Sequence, residues 1–247
     1  MTDAAHAHPD DDAATPAVAP TTDPLLAEDV LLVLLDPASG TIGGEGTLFY
    51  VLGGAVLVEL GSTGAVTVEE RGALRGDLLH ASGDCPADEH LQRAWQYLAE
   101  KPRAAQTVLA AVGPHLREPL LERLVQRGDV VRETRKVLGP IRRTVLEVPD
   151  TSRRAELVAR LRAVLVDGVE PDPRTGAIGA LVAASGALPT LDREIPWGSA
   201  VANRAEELKR GDWGASAAAE AVTRTMIAIT VGAAAAAVSA ATAASQR

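Results

Sequence analysis

The chain has 247 residues, of which 47% are hydrophobic, 23% charged and 2% aromatic, with a formal net charge of −9. That is enough apolar material for a real core, while the scarce aromatics and the negative charge argue against a protein that stacks or grips nucleic acid. The single cysteine, Cys85, excludes an intramolecular disulfide and a cysteine-rich zinc module.

Charge is polarised along the chain. Residues 1–70 hold 12 of the 33 acids and none of the 24 bases, which leaves 21 acids and a surplus of +3 for the rest. Arginine outnumbers lysine by 21 to 3, a usage that reads as a GC-rich bacterial genome. Residues 1–23 combine Ala, Pro, Thr and Asp with neither a basic start nor an apolar stretch of signal-peptide length. They read as a disordered acidic tail ahead of a single domain over 24–247. With a lone cysteine and no signal, the expected compartment is the cytoplasm.

The first expected helix starts at Asp23-Pro24, with Asp23 as N-cap, and runs through the apolar 30–35, a second half that a strand would also fit. Asp36-Pro37-Ala38-Ser39-Gly40 ends it as a turn, and 41–46 is a glycine-rich loop. Residues 47–60 (TLFYVLGGAVLVEL) read as a second buried helix, with Gly53-Gly54 allowing a neighbour close; 61–64 is the break after it. Residues 65–69 alternate as a short strand does. A helix opening at 84–89, with acids in its first turn, buries Leu91, Trp95 and Leu98. Further helices are expected near 104–112, 115–127, 152–167, 175–186, 199–210 and 214–244. The fold class is therefore mainly α: one multi-helix domain with short β-hairpins.

The hairpin at 130–148 (VVRETRKVLGPIRRTVLEV) breaks the helical pattern, with Gly139-Pro140 at its middle and β-branched residues on both sides. It is expected to protrude. Arg132, Arg135, Lys136, Arg142 and Arg143 crowd the stretch 131–143 against one acid, Glu133, and Val137, Leu138 and Ile141 sit at its tip. Apolar tip residues with basic shoulders suit an anionic bilayer surface, where each cation near phosphate is worth about 1 kcal/mol. The alternatives are a solvated charged hairpin and one that packs on a sister subunit.

Catalytic signatures are missing. No glycine-rich loop ends in Gly-Lys-Ser/Thr, the glycines at 40, 43, 44 and 46 do not form a dinucleotide fingerprint, and 61–64 lacks nucleophile-elbow spacing. The expectation is a non-enzymatic protein without a cofactor. His80, Cys85, Asp88 and His90 have metal-ligand types, but they straddle a loop and a helix start, and no metal is expected there. The Ala-rich stretch 226–244 contains no Leu or Phe and reads as a packed helix rather than a span. Arg117, Arg123 and Arg127 alternate with Glu118 and Glu122, as on an exposed face with local ion pairs.

The order of these segments resembles the Golgi phosphoprotein 3 family over roughly residues 24–245. The carrying stretches are LLAEDVLLVLLD (25–36), LGGAVLVELGSTGAV (52–66), LLERLVQRGDV (120–130) and the hairpin after it, supported by DPRTGAIGALVAASGAL (172–188) and the Ala-rich final segment. The resemblance implies a mostly helical domain that binds phosphatidylinositol 4-phosphate at a membrane and acts as an adaptor. The family's lipid pocket uses a Trp, an Arg in a Gly-Leu-Arg-Gly run and two Arg spaced three apart. Those positions fall here in the 43–46 loop, at Gly53, and at Pro114 and Arg117, so Arg117 is the match. The expected head-group contacts are Arg117, Arg135, Lys136, Arg142 and Arg143, with Val137, Leu138 and Ile141 entering the membrane. The expected partners are an anionic phospholipid surface on the inner face of a membrane and, through 130–148, a second copy of the chain. A persisting anion site at Arg117 is expected to recruit a second cation from Arg71, Arg75 or Arg123.

Overall fold

Helix α1 (Leu26–Leu34) is buried on every side, including Glu28 and Asp29 in its first turn. In this computed structural model the helix begins after Leu25, so Asp23 is not its cap. Two carboxylates satisfy its first amides instead: Leu25 N donates to Glu28 Oε2 at 2.7 Å, and Leu26 N donates to Glu59 Oε2 at 2.7 Å. The residues described are 23–71, 76–138, 141–149, 153–211, 223, 225–227 and 229, with the backbone alone at 135–138 and 141–144. Residues 1–22 of the tail expected over 1–23, the Gly139-Pro140 turn, Arg75 and most of the helix expected over 214–244 lie outside them.

After α1 the chain turns at 36–40, and Leu35 bridges to Ile42. A 3-10 turn (Glu45–Thr47) leads into α2 (Leu48–Ser62), which is apolar nearly throughout and forms the axis of the body. Helices α1, α3 (Glu89–Ala99), α4 (Ala105–Val112) and α7 (Pro173–Ala184) all pack on it. It runs past Gly61 to Ser62 rather than stopping at 60. The close approach expected of Gly53-Gly54 is realised: a Cβ on Gly53 would stand 3.0 Å from Leu109 and 3.5 Å from the Gly113 backbone. Gly113 is tighter still, since a Cβ there would fall 2.2 Å from the Phe49 carbonyl oxygen. It opens the 3-10 turn Gly113–His115, which precedes α5 (Arg117–Arg127).

Two antiparallel two-stranded sheets flank the helices. Strand β1 (Val66–Glu69) pairs with β2 (Leu78–Ala81), Val66 opposite Ala81. Nothing in Leu78-Leu79-His80-Ala81 has the β-branching of a strand former; the buried Leu79 is set in place by the bridge to Arg103. The second sheet is the expected hairpin, β3 (Val131–Leu138) with β4 (Ile141–Glu147). Its register sets Val131 opposite Glu147 and Leu138 opposite Ile141, with an irregularity between Lys136 and Leu138. The strands pack chiefly on each other and protrude from the body. Their root is held where Gly40 passes Leu146 so closely that a Cβ would fall 2.6 Å from its carbonyl oxygen.

Helices α6 (Arg153–Leu165), α7 and α8 (Ser199–Lys209) join the mainly α body, with a 3-10 turn (Leu188–Leu191) before α8. Asp172 caps α7, accepting from Arg174 N and Thr175 N at 3.0 Å each. The C-terminal end of α1 has no basic residue of its own. Arg154, 3% exposed, supplies the charge from α6. Its guanidinium donates to the Leu35 carbonyl at 2.8 Å and grips Glu194 at 2.6 and 2.7 Å, a cation placed at the negative end of the helix. Among the described residues, no helix is long and apolar enough to cross a membrane.

Candidate functional site

The basic hairpin is anchored at its root. Near its root Arg132 bonds Glu122 on α5 at 2.5 Å and lies 3.7 Å from Glu118. Further out, the ladder sets Arg135 opposite Arg143 and Lys136 opposite Arg142. Two successive like-charge pairs directly across a two-stranded ladder are unfavourable in an isolated arm. Their side chains, and those of Val137, Leu138 and Ile141, lie outside the described residues.

Arg117 sits elsewhere, at the start of α5. Its Nη1 is 2.5 Å from Glu118 and its Nη2 is 3.1 Å from Glu45 in the 3-10 turn before α2. The 43–46 loop, Gly53, Pro114 and Arg117 therefore converge around the start of α2, beside the rings of Phe49 and Tyr50, whose centroids are 4.0 Å apart and whose planes are tilted by 34°. The second cation expected near Arg117 is not supplied by Arg123, which reaches Asp88 at 2.5 Å and Glu28 at 3.3 Å. An anion at Arg117 has to displace two carboxylates.

Arg123 and Arg127 do not form the exposed, locally paired face that their spacing suggests. They point into an ionic network at the N-terminal end of α1. Glu28, fully buried, receives Arg123 and, at 3.2 Å, Arg127. Asp29 is held by Arg153 and by Arg174, whose Nη2 lies 2.6 Å away. Arg153 also bonds Asp129 at 2.8 Å, and Arg174 donates to the Pro24 carbonyl at 2.7 Å. Burial pushes the Asp29 carboxyl above its usual range, against the opposing pull of Arg174 and Arg153. Glu59 is likewise raised by burial, against the Leu26 amide and Arg174. Asp88 goes the other way: burial raises it, but the Arg123 hydrogen bond and the His90 and Leu91 amides together outweigh that and leave it lowered. One signal for this network is present in the sequence. Glu28-Asp29 is an acidic pair inside a run otherwise apolar on every side, and such a pair is buried only when cations meet it.

The residues with metal-ligand types are dispersed among separate roles. His80 pairs with Glu69 at 2.7 Å, Asp88 caps α3 through His90 N at 2.9 Å, and Cys85 is exposed. Among the described residues no group of three His, Cys, Asp or Glu side chains converges to hold a metal ion. Trp95 is half-buried rather than buried, with its Nε1 donating to the Ser82 carbonyl at 3.1 Å. His90 is buried, its Nε2 makes no hydrogen bond, and burial holds its pKa below the usual value of 6.5. The unfolded chain thus binds the proton first as pH falls. Stability contributed by neutral His90 is present above 6.5 and is lost as pH drops from there toward the folded value. The wild-type melting temperature should fall between pH 7.5 and 5.5, and His90→Gln should flatten that slope; equal slopes would show that His90 is not the titrating group.

A cleft of about 360 Å³ opens between α1, α6 and α7, with Asp29, Arg153, Arg160, Arg174, Glu156 and Asp23 on its walls. It lies near the C-terminal end of α5, where Arg127 meets Glu28; about 15 Å of helix separates that end from Arg117. The family model of Golgi phosphoprotein 3 (GPP34) matches residues 26–225 of the chain. No curated protein matches the chain.

Proposed function

Because the chain belongs to the Golgi phosphoprotein 3 family, we propose that it is a non-enzymatic peripheral membrane adaptor that meets anionic phospholipid head groups with its β3–β4 arm. The observation that carries this reading is the register of that arm. Arg135 stands opposite Arg143 and Lys136 opposite Arg142, so the ladder gathers four cations that a phosphate-rich surface would meet. Val137, Leu138 and Ile141 would enter the interface beyond these cations. By family the head group is phosphatidylinositol 4-phosphate. The residues here support the broader class of anionic lipids, since Gly53 and Pro114 stand at two of the family's cationic positions and Arg117 joins the contact only by releasing Glu45 and Glu118. The site would lie at the cytoplasmic face of a membrane.

Co-sedimentation with vesicles tests the reading. Anionic vesicles should pellet the protein, adding phosphatidylinositol 4-phosphate should give at most a modest gain, and about 0.5 M salt should release it, because the Debye length then falls to a few ångströms. Arg142→Glu with Arg143→Glu should abolish pelleting. A second reading is favoured by the self-neutralised Arg117: a scaffold whose lipid contact is lost and whose hairpin joins copies of the chain. Failure to pellet at any salt, with a change in oligomeric mass on the same double substitution, selects it.

A further inference from the structure

The cleft between α1, α6 and α7 is lined by as many acids as bases: Arg153, Arg160 and Arg174 against Asp23, Asp29 and Glu156. These groups are not equally engaged. Arg153 and Arg174 close on the buried Asp29 at the floor. At the mouth, Arg160 and Glu156 are 60% and 73% exposed and approach each other only to 3.6 Å, longer than a hydrogen bond. Asp23 stands exposed at the rim, and Pro24, Leu157 and Ile178 supply apolar wall between the charges. The volume falls within the range of small-molecule sites, about 300–1,000 Å³.

That charge balance selects the ligand. A multiply charged anion would meet three carboxylates, and a simple cation would meet three guanidinium groups. An apolar ligand would strip water from charges it cannot replace. A ligand carrying both signs at head-group spacing satisfies the lining. We propose that the cleft binds a phosphate ester of a primary amine, the chemistry of phosphoethanolamine, with phosphate on Arg160 and on Nη1 of Arg174, whose Nε and Nη2 stay with Asp29 and Pro24, and ammonium on Glu156 and Asp23. The planar guanidinium fork suits phosphate oxygens, and three N–H donors suit paired carboxylates. The lipid source of this chemistry rests on the peripheral-membrane reading. Arg153 also holds Asp129, two residues before β3, so the cleft lies at the root of the arm and a head group there would seat the arm on the same bilayer. Free phosphoethanolamine offers the identical groups.

Calorimetric titration of the full chain with O-phosphoethanolamine, inorganic phosphate, ethanolamine and phosphocholine tests the chemistry. Saturable binding is expected for phosphoethanolamine alone, since phosphocholine has no N–H to give. Arg160→Gln and Glu156→Gln, both at exposed positions, should each weaken it at least tenfold while leaving the melting temperature unchanged. Equal binding of inorganic phosphate, no binding of phosphoethanolamine, or undiminished binding by both variants overturns the proposal. Vesicles of fixed anionic content, filled out with phosphatidylethanolamine or phosphatidylcholine, then separate the sources. A severalfold gain with phosphatidylethanolamine that Arg160→Gln removes identifies the lipid; phosphoethanolamine binding without that gain identifies the free ester. Phosphoethanolamine binding by a chain that pellets with no vesicle leaves this site standing and removes the membrane reading instead.

Discussion

Replacing Glu28 by alanine is expected to lower the free energy of unfolding by about 3–5 kcal/mol, the range for removing one partner from a buried ion pair. The carboxylate is 0% exposed and serves three groups at once: the Leu25 amide, Arg123 and Arg127. Without it the first turn of α1 loses its internal acceptor. Arg123 keeps Asp88, and both guanidinium groups retain some access to water, which places the expected value toward the lower end of that range. Glu28→Gln restores an acceptor for the amide but not the charge, and should recover part of the loss. Urea denaturation of the three proteins decides the matter: a Glu28→Ala protein within about 1 kcal/mol of wild type would mean that the network adds little beyond its own desolvation.

The position of that network explains why α1 can be both charged and central. A helix buried on all sides needs partners for its free amides and carbonyls from other elements. Here α2 supplies Glu59 to the first amides and α6 supplies Arg154 to the last carbonyls. Asp29 draws α6 and α7 onto the same turn. Removing Asp29 or Arg154 would therefore loosen several helix contacts together.

How far the sequence discloses this depends on the range of the interaction. Helices α2, α3, α5, α7 and α8 are legible because apolar spacing and the acids that open α3 are local signals, although the Asp172 cap starts α7 at Pro173 rather than at the expected 175. The start of α1 is misplaced by such reasoning, because Asp23-Pro24 looks like a cap while the true acceptors are Glu28 and, 33 residues away, Glu59. Strand β2 escapes for the same reason: its place comes from β1 and Arg103, not from its own four residues. Arg123 and Arg127 look like surface residues in a helix with alternating charge, and only the fold brings Glu28 and Asp88 to them. The arm is partly the opposite case. The pair Leu138 and Ile141 follows from a Gly-Pro centre between β-branched flanks, whereas the irregularity between Lys136 and Leu138, which sets Arg135 opposite Arg143, has no such local signal.

That arm gives the sharpest functional expectation. Leu138→Asp with Ile141→Asp should leave thermal stability within about 0.5 kcal/mol of wild type, as at surface sites, because the two residues face each other at the far end of a ladder that protrudes from the body. The same double substitution should reduce pelleting with anionic vesicles at least tenfold. It removes two apolar side chains and sets two carboxylates beside Arg142 and Arg143, where they compete with lipid phosphate for the same cations. The conservative control, Leu138→Met with Ile141→Leu, should pellet like wild type, since it keeps apolar volume and charge. If the aspartate variant keeps its melting temperature and its binding, the arm is not the membrane contact. If it instead dissociates an oligomer, the tip belongs between subunits; if it unfolds, the tip is core and the adaptor reading loses its carrying observation.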